Sequence, residues 1–107
     1  MNWHRVCADS ALPTDFGMAA LVAGHTVALF RTAEDELYAV GNVDPFSGAG
    51  VISRGIVGDR AGEPTVASPM HKQVFSLRSG ECLDEPTRRL PTYPVRRREG
   101  VIEIGLS

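Results

Sequence analysis

Asn42-Val43-Asp44-Pro45-Phe46-Ser47-Gly48-Ala49-Gly50 is too rich in turn formers to be a strand, and it reads as one long loop within Gly41 to Arg54. A second loop, Ser68-Pro69-Met70-His71-Lys72-Gln73, follows a short apolar hairpin. Long loops in small domains are functional or disordered, and the apolar Phe46 and Val43 argue for order in the first one. Pro45 and Pro69 restrict the backbone at the two tips, as a preformed surface requires.

Outward from the loops, the segments read as short strands. Trp3 to Cys7 forms the first. Met18 to Val22 and Thr26 to Arg31 are the next two, separated by the turn Ala23-Gly24-His25. The near-continuous Val27-Ala28-Leu29-Phe30 predicts a strand buried on both faces. Leu37 to Val40 follows a charged turn. Ile56-Val57 and Thr65-Val66-Ala67 form a hairpin with a wide turn over Gly58 to Gly62, and Val74 to Leu77 is another strand. Leu90 to Arg98 and Val101 to Leu106 close the chain, with Ile102, Ile104 and Leu106 on one face at period two. Eleven glycines and seven prolines leave no room for a long amphipathic helix. The expectation is an all-β, antiparallel sandwich or barrel of about nine strands, one domain over 1–107, without an internal repeat.

Composition narrows the function. The 107 residues are 43% hydrophobic and 22% charged, with a formal net charge of −2. That balance argues against disorder and gives no general attraction to nucleic acid or an anionic membrane. No apolar run approaches the roughly 18 residues of a membrane span, and Met1 to Arg5 lacks the apolar stretch of a signal peptide. A cytoplasmic protein is expected. Cys7 and Cys82 are read as two buried, reduced thiols.

Five arginines lie between Arg88 and Arg98, but on a strand Arg97 points away from Arg96 and Arg98, so they read as a solvated edge. His4 and Cys7, three apart, fall on opposite faces of a strand and make poor co-ligands. No Cys-x-x-Cys or His-x-x-x-His spacing occurs.

The two loops with their flanks, Tyr38 to Gly48 and Val66 to Gly80, resemble a Rieske domain. In that family the first loop supplies Cys-x-His and the second Cys-x-x-His to a [2Fe–2S] cluster. The resemblance puts Asp44, Phe46, Ser68 and His71 at the four ligand positions, so His71 alone matches. Asp44 and Ser68 offer oxygen where soft thiolates are needed, and Phe46 has no donor. The implied chain is a Rieske-like domain without its cluster. Asp44 is then expected to organise its loop by accepting backbone N–H bonds. Phe46 either plugs the space a cluster would fill or is exposed to bind a partner, and His71 is a hydrogen-bonding surface residue.

Among such domains, the wording is similar to the small subunits of assimilatory NAD(P)H nitrite reductases. The matching segments are Asp44-Pro45-Phe46-Ser47, Ser53 to Asp59, Ser68-Pro69, Lys72-Gln73, Phe75-x-Leu77, Gly80-x-Cys82-Leu83-Asp84 and Thr92-Tyr93-Pro94-Val95. The resemblance implies a subunit of an oxidoreductase that reduces nitrite to ammonium. It implies no redox centre in this chain and a large subunit carrying flavin (FAD), iron–sulfur and sirohaem groups. Pro45, Ser47, Met70 and Lys72 are the candidate residues for docking on that subunit, with the Arg96 to Arg98 edge as the alternative. The rivals are a Rieske-type ferredoxin, which fails on ligand count, and an unrelated binding module reusing the fold.

Overall fold

Val27, Ala28, Leu29 and Phe30 have no solvent exposure, because the strand that carries them divides two cores. The computed structural model describes residues 1–70 and 72–106. Its strands are β1 (Asn2–Ala8), β2 (Met18–Val22), β3 (His25–Arg31), β4 (Leu37–Gly41) and β5 (Ile56–Arg60). After them come β6 (Glu63–Ala67), β7 (Val74–Ser76), β8 (Thr92–Tyr93), β9 (Val95–Arg98) and β10 (Val101–Leu106). Short 3₁₀ turns sit at Asp9–Ala11 and Ile52–Arg54. The strands form three antiparallel sheets, ordered β1-β10-β9, β2-β3-β4-β8 and β5-β6-β7.

The β3-containing sheet is the middle layer. Val27, Leu29 and Ala39 pack in one core with Ile102, Ile104 and Leu106, while Ala28, Phe30 and Val40 pack in the other with Val66, Phe75 and Leu77. Alternate residues of one strand thus serve opposite cores, which is why β3 shows no polar alternation. Fully burying each of the Val, Leu, Ile and Phe side chains among them contributes roughly 1.5–3 kcal/mol.

Two of three hairpins are tighter than the sequence suggests, and the third turns across Glu99-Gly100 as expected. Val22 pairs with His25, Arg60 with Glu63 and Arg98 with Val101, leaving two-residue loops at Ala23-Gly24, Ala61-Gly62 and Glu99-Gly100. Both residues of each loop have positive φ, from 49° to 89°, the twist that matches flanking strands. His25 therefore opens β3 instead of closing a turn. Likewise, the wide turn expected over Gly58 to Gly62 shrinks to two residues.

Two further differences have clear causes. The expected single strand Leu90 to Arg98 splits at Pro94, giving ten strands. Thr92–Tyr93 pairs with β4 and Val95–Arg98 with β10, and Pro94, lacking an N–H, sits at the crossing while its carbonyl accepts Gly105 N–H at 2.8 Å. In β1 a bulge between Arg5 and Cys7 sets His4 opposite Ile104 and Cys7 opposite Ile102. The extra residue restores the two to one side of the strand, where spacing alone predicts opposite sides. Both thiols are free; Cys82 is buried, but Cys7 is only half-buried. Burial, with Asp9 nearby and Arg31 opposing, raises the Cys7 pKa.

The β9 arginines do alternate, but they are more than a solvated edge. The Arg96 guanidinium lies 4.1 Å from the centroid of the Trp3 ring and its Nε donates to Glu103 at 2.7 Å. On the opposite side Arg97 meets Asp9 at 3.1 Å and Asp35 at 2.6 Å, and Arg31 reaches the same two carboxylates. Among the described residues no helix is long and apolar enough to cross a membrane.

Candidate functional site

Each of the two loops is built by the same three hydrogen bonds. In the first, Asp44 N–H donates to the Ala49 carbonyl (2.8 Å), Gly48 N–H to the Asp44 carbonyl (2.7 Å), and Phe46 N–H to Asp44 Oδ1 (2.8 Å). In the second, Ser68 N–H donates to the Gln73 carbonyl (2.9 Å), Lys72 N–H to the Ser68 carbonyl (2.9 Å), and Met70 N–H to Ser68 Oγ (3.3 Å). The spacing is identical, and in both units the fifth residue is left-handed: Gly48 at φ 77° and Lys72 at φ 62°. A short polar side chain before proline closes the turn by accepting the N–H two residues on. The molecule therefore does carry a local repeat, signalled by polar-Pro-apolar at Asp44-Pro45-Phe46 and Ser68-Pro69-Met70.

The two units meet at their first residues. The Ser68 hydroxyl donates to Asp44 Oδ2, and both residues are buried, Asp44 at 0% and Ser68 at 1% exposure. A buried carboxylate is stable only when its oxygens are partnered, and here each of the two has a donor.

Sequence reasoning missed two supports of the first loop. Asn42 donates its N–H to Thr26 (3.1 Å), accepts Ile52 N–H at its carbonyl (3.1 Å) and accepts Ser53 N–H at Oδ1 (2.7 Å), so it clamps the loop's base. Arg88, read only as part of a basic run, donates to the Pro45 carbonyl at 3.2 Å and lies 5.5 Å from the Phe46 ring centroid. Nothing local in the sequence marks either contact, since Arg88 is 43 positions from Pro45.

Phe46 falls between its two expected roles. It is half-buried, tilted against Phe75 with centroids 6.3 Å apart and packed on the core edge, with Arg88 over its ring. Val43, expected to order the loop, is 46% exposed, because hydrogen bonds do that work instead. Met70 is 49% exposed, Ser47 and Lys72 are exposed and Pro45 is half-buried. His71 lies outside the described residues.

Among the described residues, the donor set at the loop junction does not fit a [2Fe–2S] cluster. Such a cluster needs thiolate sulfur on one iron. At the loop junction the oxygens of Asp44 and Ser68 are engaged with each other and with backbone N–H groups, and Phe46 supplies an aromatic carbon face. Cys82 is enclosed in the core and Cys7 packs at the other one. Among the described residues no group of three or more His, Cys, Asp or Glu side chains is arranged to hold a metal ion.

Three antiparallel sheets presenting two proline-tipped loops side by side define a Rieske-type domain, and residues 2–105 match the Rieske-like [2Fe-2S] domain family. A NADH nitrite reductase small subunit of Salmonella typhimurium is 36% identical over 104 residues, covering 96% of each chain. A crystal structure from Mycobacterium tuberculosis, assigned as an NADH-dependent nitrite reductase small subunit, superposes with a TM-score of 0.93 at 50% identity. That match covers 96% of this chain and 93% of the other. The chain belongs to the Rieske-like domains and, within them, to the nitrite reductase small subunits. The same sequence also matches, at 38% identity over 103 residues, part of a NAD(P)H nitrite reductase large subunit of Klebsiella oxytoca. There it covers 96% of this chain but only 11% of that much longer one.

Proposed function

We propose that the chain works as the small, cofactor-free subunit of an NAD(P)H-dependent nitrite reductase in the cytoplasm, binding and supporting a large subunit that carries the flavin, iron–sulfur and sirohaem groups. The observation that carries this reading is the loop junction. The family resemblance puts Asp44 and Ser68 at ligand positions, and the hydrogen bond between them supports a frame that keeps the shape of an electron carrier without its donors. What such a frame retains is a rigid surface, and loops held on a sheet scaffold are where binding concentrates. Phe46, Met70 and Arg88 are residue types enriched at interfaces, and Lys72 adds an exposed cation. The loop end is therefore the docking face, with Pro45, Ser47, Met70 and Lys72 at its surface. The Arg96 to Arg98 edge is the poorer candidate, since Arg96 and Arg97 already have partners within the fold.

The test is reconstitution. Purified chain added to large subunit lacking it should form a stable complex and raise NADH-dependent nitrite reduction, and Lys72→Glu should weaken both without unfolding the chain. Normal binding by Lys72→Glu alongside lost binding by Arg98→Glu would move the interface to the edge. No complex with the unaltered chain would overturn the subunit reading.

A further inference from the structure

The two ends of the described chain leave the domain together. Asn2 pairs with Leu106 across β1 and β10. In the Klebsiella relative the same domain is one stretch of a far longer large-subunit chain. In this chain Asn2 and Leu106 lie side by side on neighbouring strands.

Two adjoining clefts begin at that point. The first, about 270 Å³, is lined by Met1 and Leu106 with His25 and Tyr93; the second, also about 270 Å³, continues past the same two rings to Pro91 and Val43. His25 and Tyr93 stand edge to face between them, centroids 6.0 Å apart at 73°. Val43 is the residue before Asp44, so the path runs from the termini to the base of the first loop.

The chemistry of this path is specific. Neither cleft has an Asp, Glu, Lys or Arg side chain in its lining, although such residues make up 22% of the chain. Each cleft is below the roughly 300 Å³ at which small-molecule sites begin. Two small hollows that share the His25 and Tyr93 rings suit two side chains of one extended segment, whose same-side residues lie about 7 Å apart. Tyr93 on the ridge gives a rigid aromatic contact of the kind that anchors interfaces.

Resting on the reading of this chain as the small subunit, we propose that the paired clefts around His25 and Tyr93 seat an extended, uncharged segment of the large subunit. In the fused relative that segment would be held close by its covalent link, which raises its effective concentration at the clefts. In a separate subunit the clefts themselves must hold it.

Val43 and His25 are both exposed, so a carboxylate placed at either charges a cleft without opening a core. Binding of the full chain to immobilised large subunit should be about tenfold weaker for His25→Glu and for Val43→Glu, the loss expected on spoiling an interface anchor. In nuclear magnetic resonance titrations with large subunit, the Tyr93 and His25 signals of the parent should shift or broaden. Parent-like binding by both variants, together with unmoved Tyr93 and His25 signals, overturns the cleft proposal. If Lys72→Glu still weakens binding in that case, the loop-end reading survives. Failure of the unaltered chain to bind at all removes the subunit reading and the cleft proposal together.

Discussion

Asp44 and Ser68 hold the same position in two copies of one six-residue loop, and the Ser68 hydroxyl donates to the Asp44 carboxylate where the copies meet. One side-chain bond thereby joins segments 24 positions apart at a site with almost no solvent exposure. The loop end depends on it.

Ser68→Ala tests that dependence. It removes the donor to Oδ2 and the acceptor for Met70 N–H, leaving a buried carboxylate oxygen without a partner. The expected loss is about 1–3 kcal/mol in urea unfolding. A change below about 0.5 kcal/mol, typical of surface sites, would contradict the assignment.

Phe46→Ala should cost about 2 kcal/mol, less than the roughly 3–5 of a fully enclosed phenylalanine, because the ring is only half-buried. The same measurement on Arg88→Ala should show a smaller loss, since the guanidinium is exposed and contributes only one bond and a ring contact. If Arg88→Ala proves the more damaging of the two, the guanidinium and not the Phe46 ring is the main support of the loop.

Lys72 stands in the left-handed position that Gly48 fills in the first loop. Lys72→Gly should leave stability unchanged or raise it by up to about 1 kcal/mol, while weakening association with the large subunit. Retained binding would show that the side chain is not used.

Acid should weaken the fold partly through Asp9. Hydrogen bonding from Arg31, with Arg97 nearby, holds its carboxyl below the ordinary carboxylate range. Such a group stabilises the fold above its unfolded-state pKa of about 4, and that contribution is lost as pH falls toward the lower folded-state value. Asp9→Asn should therefore lower stability at neutral pH, and the gap to the parent should close in acid. Urea midpoints at about pH 7 and pH 3 give the comparison. A gap of equal size at both would rule out the ion pairs as the cause.

Iron and sulfide added anaerobically to the chain should yield no visible absorbance and no stoichiometric iron on gel filtration. A stable coloured species would mean that donors other than Asp44, Phe46 and Ser68 had been recruited.

Much of this was legible in the sequence where the signal is local. The unbroken apolar run of β3 announces a strand between two cores, and Ile102, Ile104 and Leu106 announce the inner face of β10. Pro94 could have announced the split between β8 and β9, because a residue without an N–H seldom sits inside a paired strand. The repeated polar-Pro-apolar pattern likewise encodes the twin loops. The bulge in β1 has no such mark. Nor do the contacts of Arg88 with Phe46, Asn42 with Ser53, or Ser68 with Asp44, since each depends on which segments the finished sheets bring together.

The twin loops also bear on how the subunit is made. A junction sealed by a serine and an aspartate is complete once the polypeptide has folded. It waits for no delivery of iron, needs no sulfur donor or insertion machinery, and has nothing at that junction for oxygen to destroy. On the cofactor-free reading proposed above, supply of this chain is then set by its synthesis and folding.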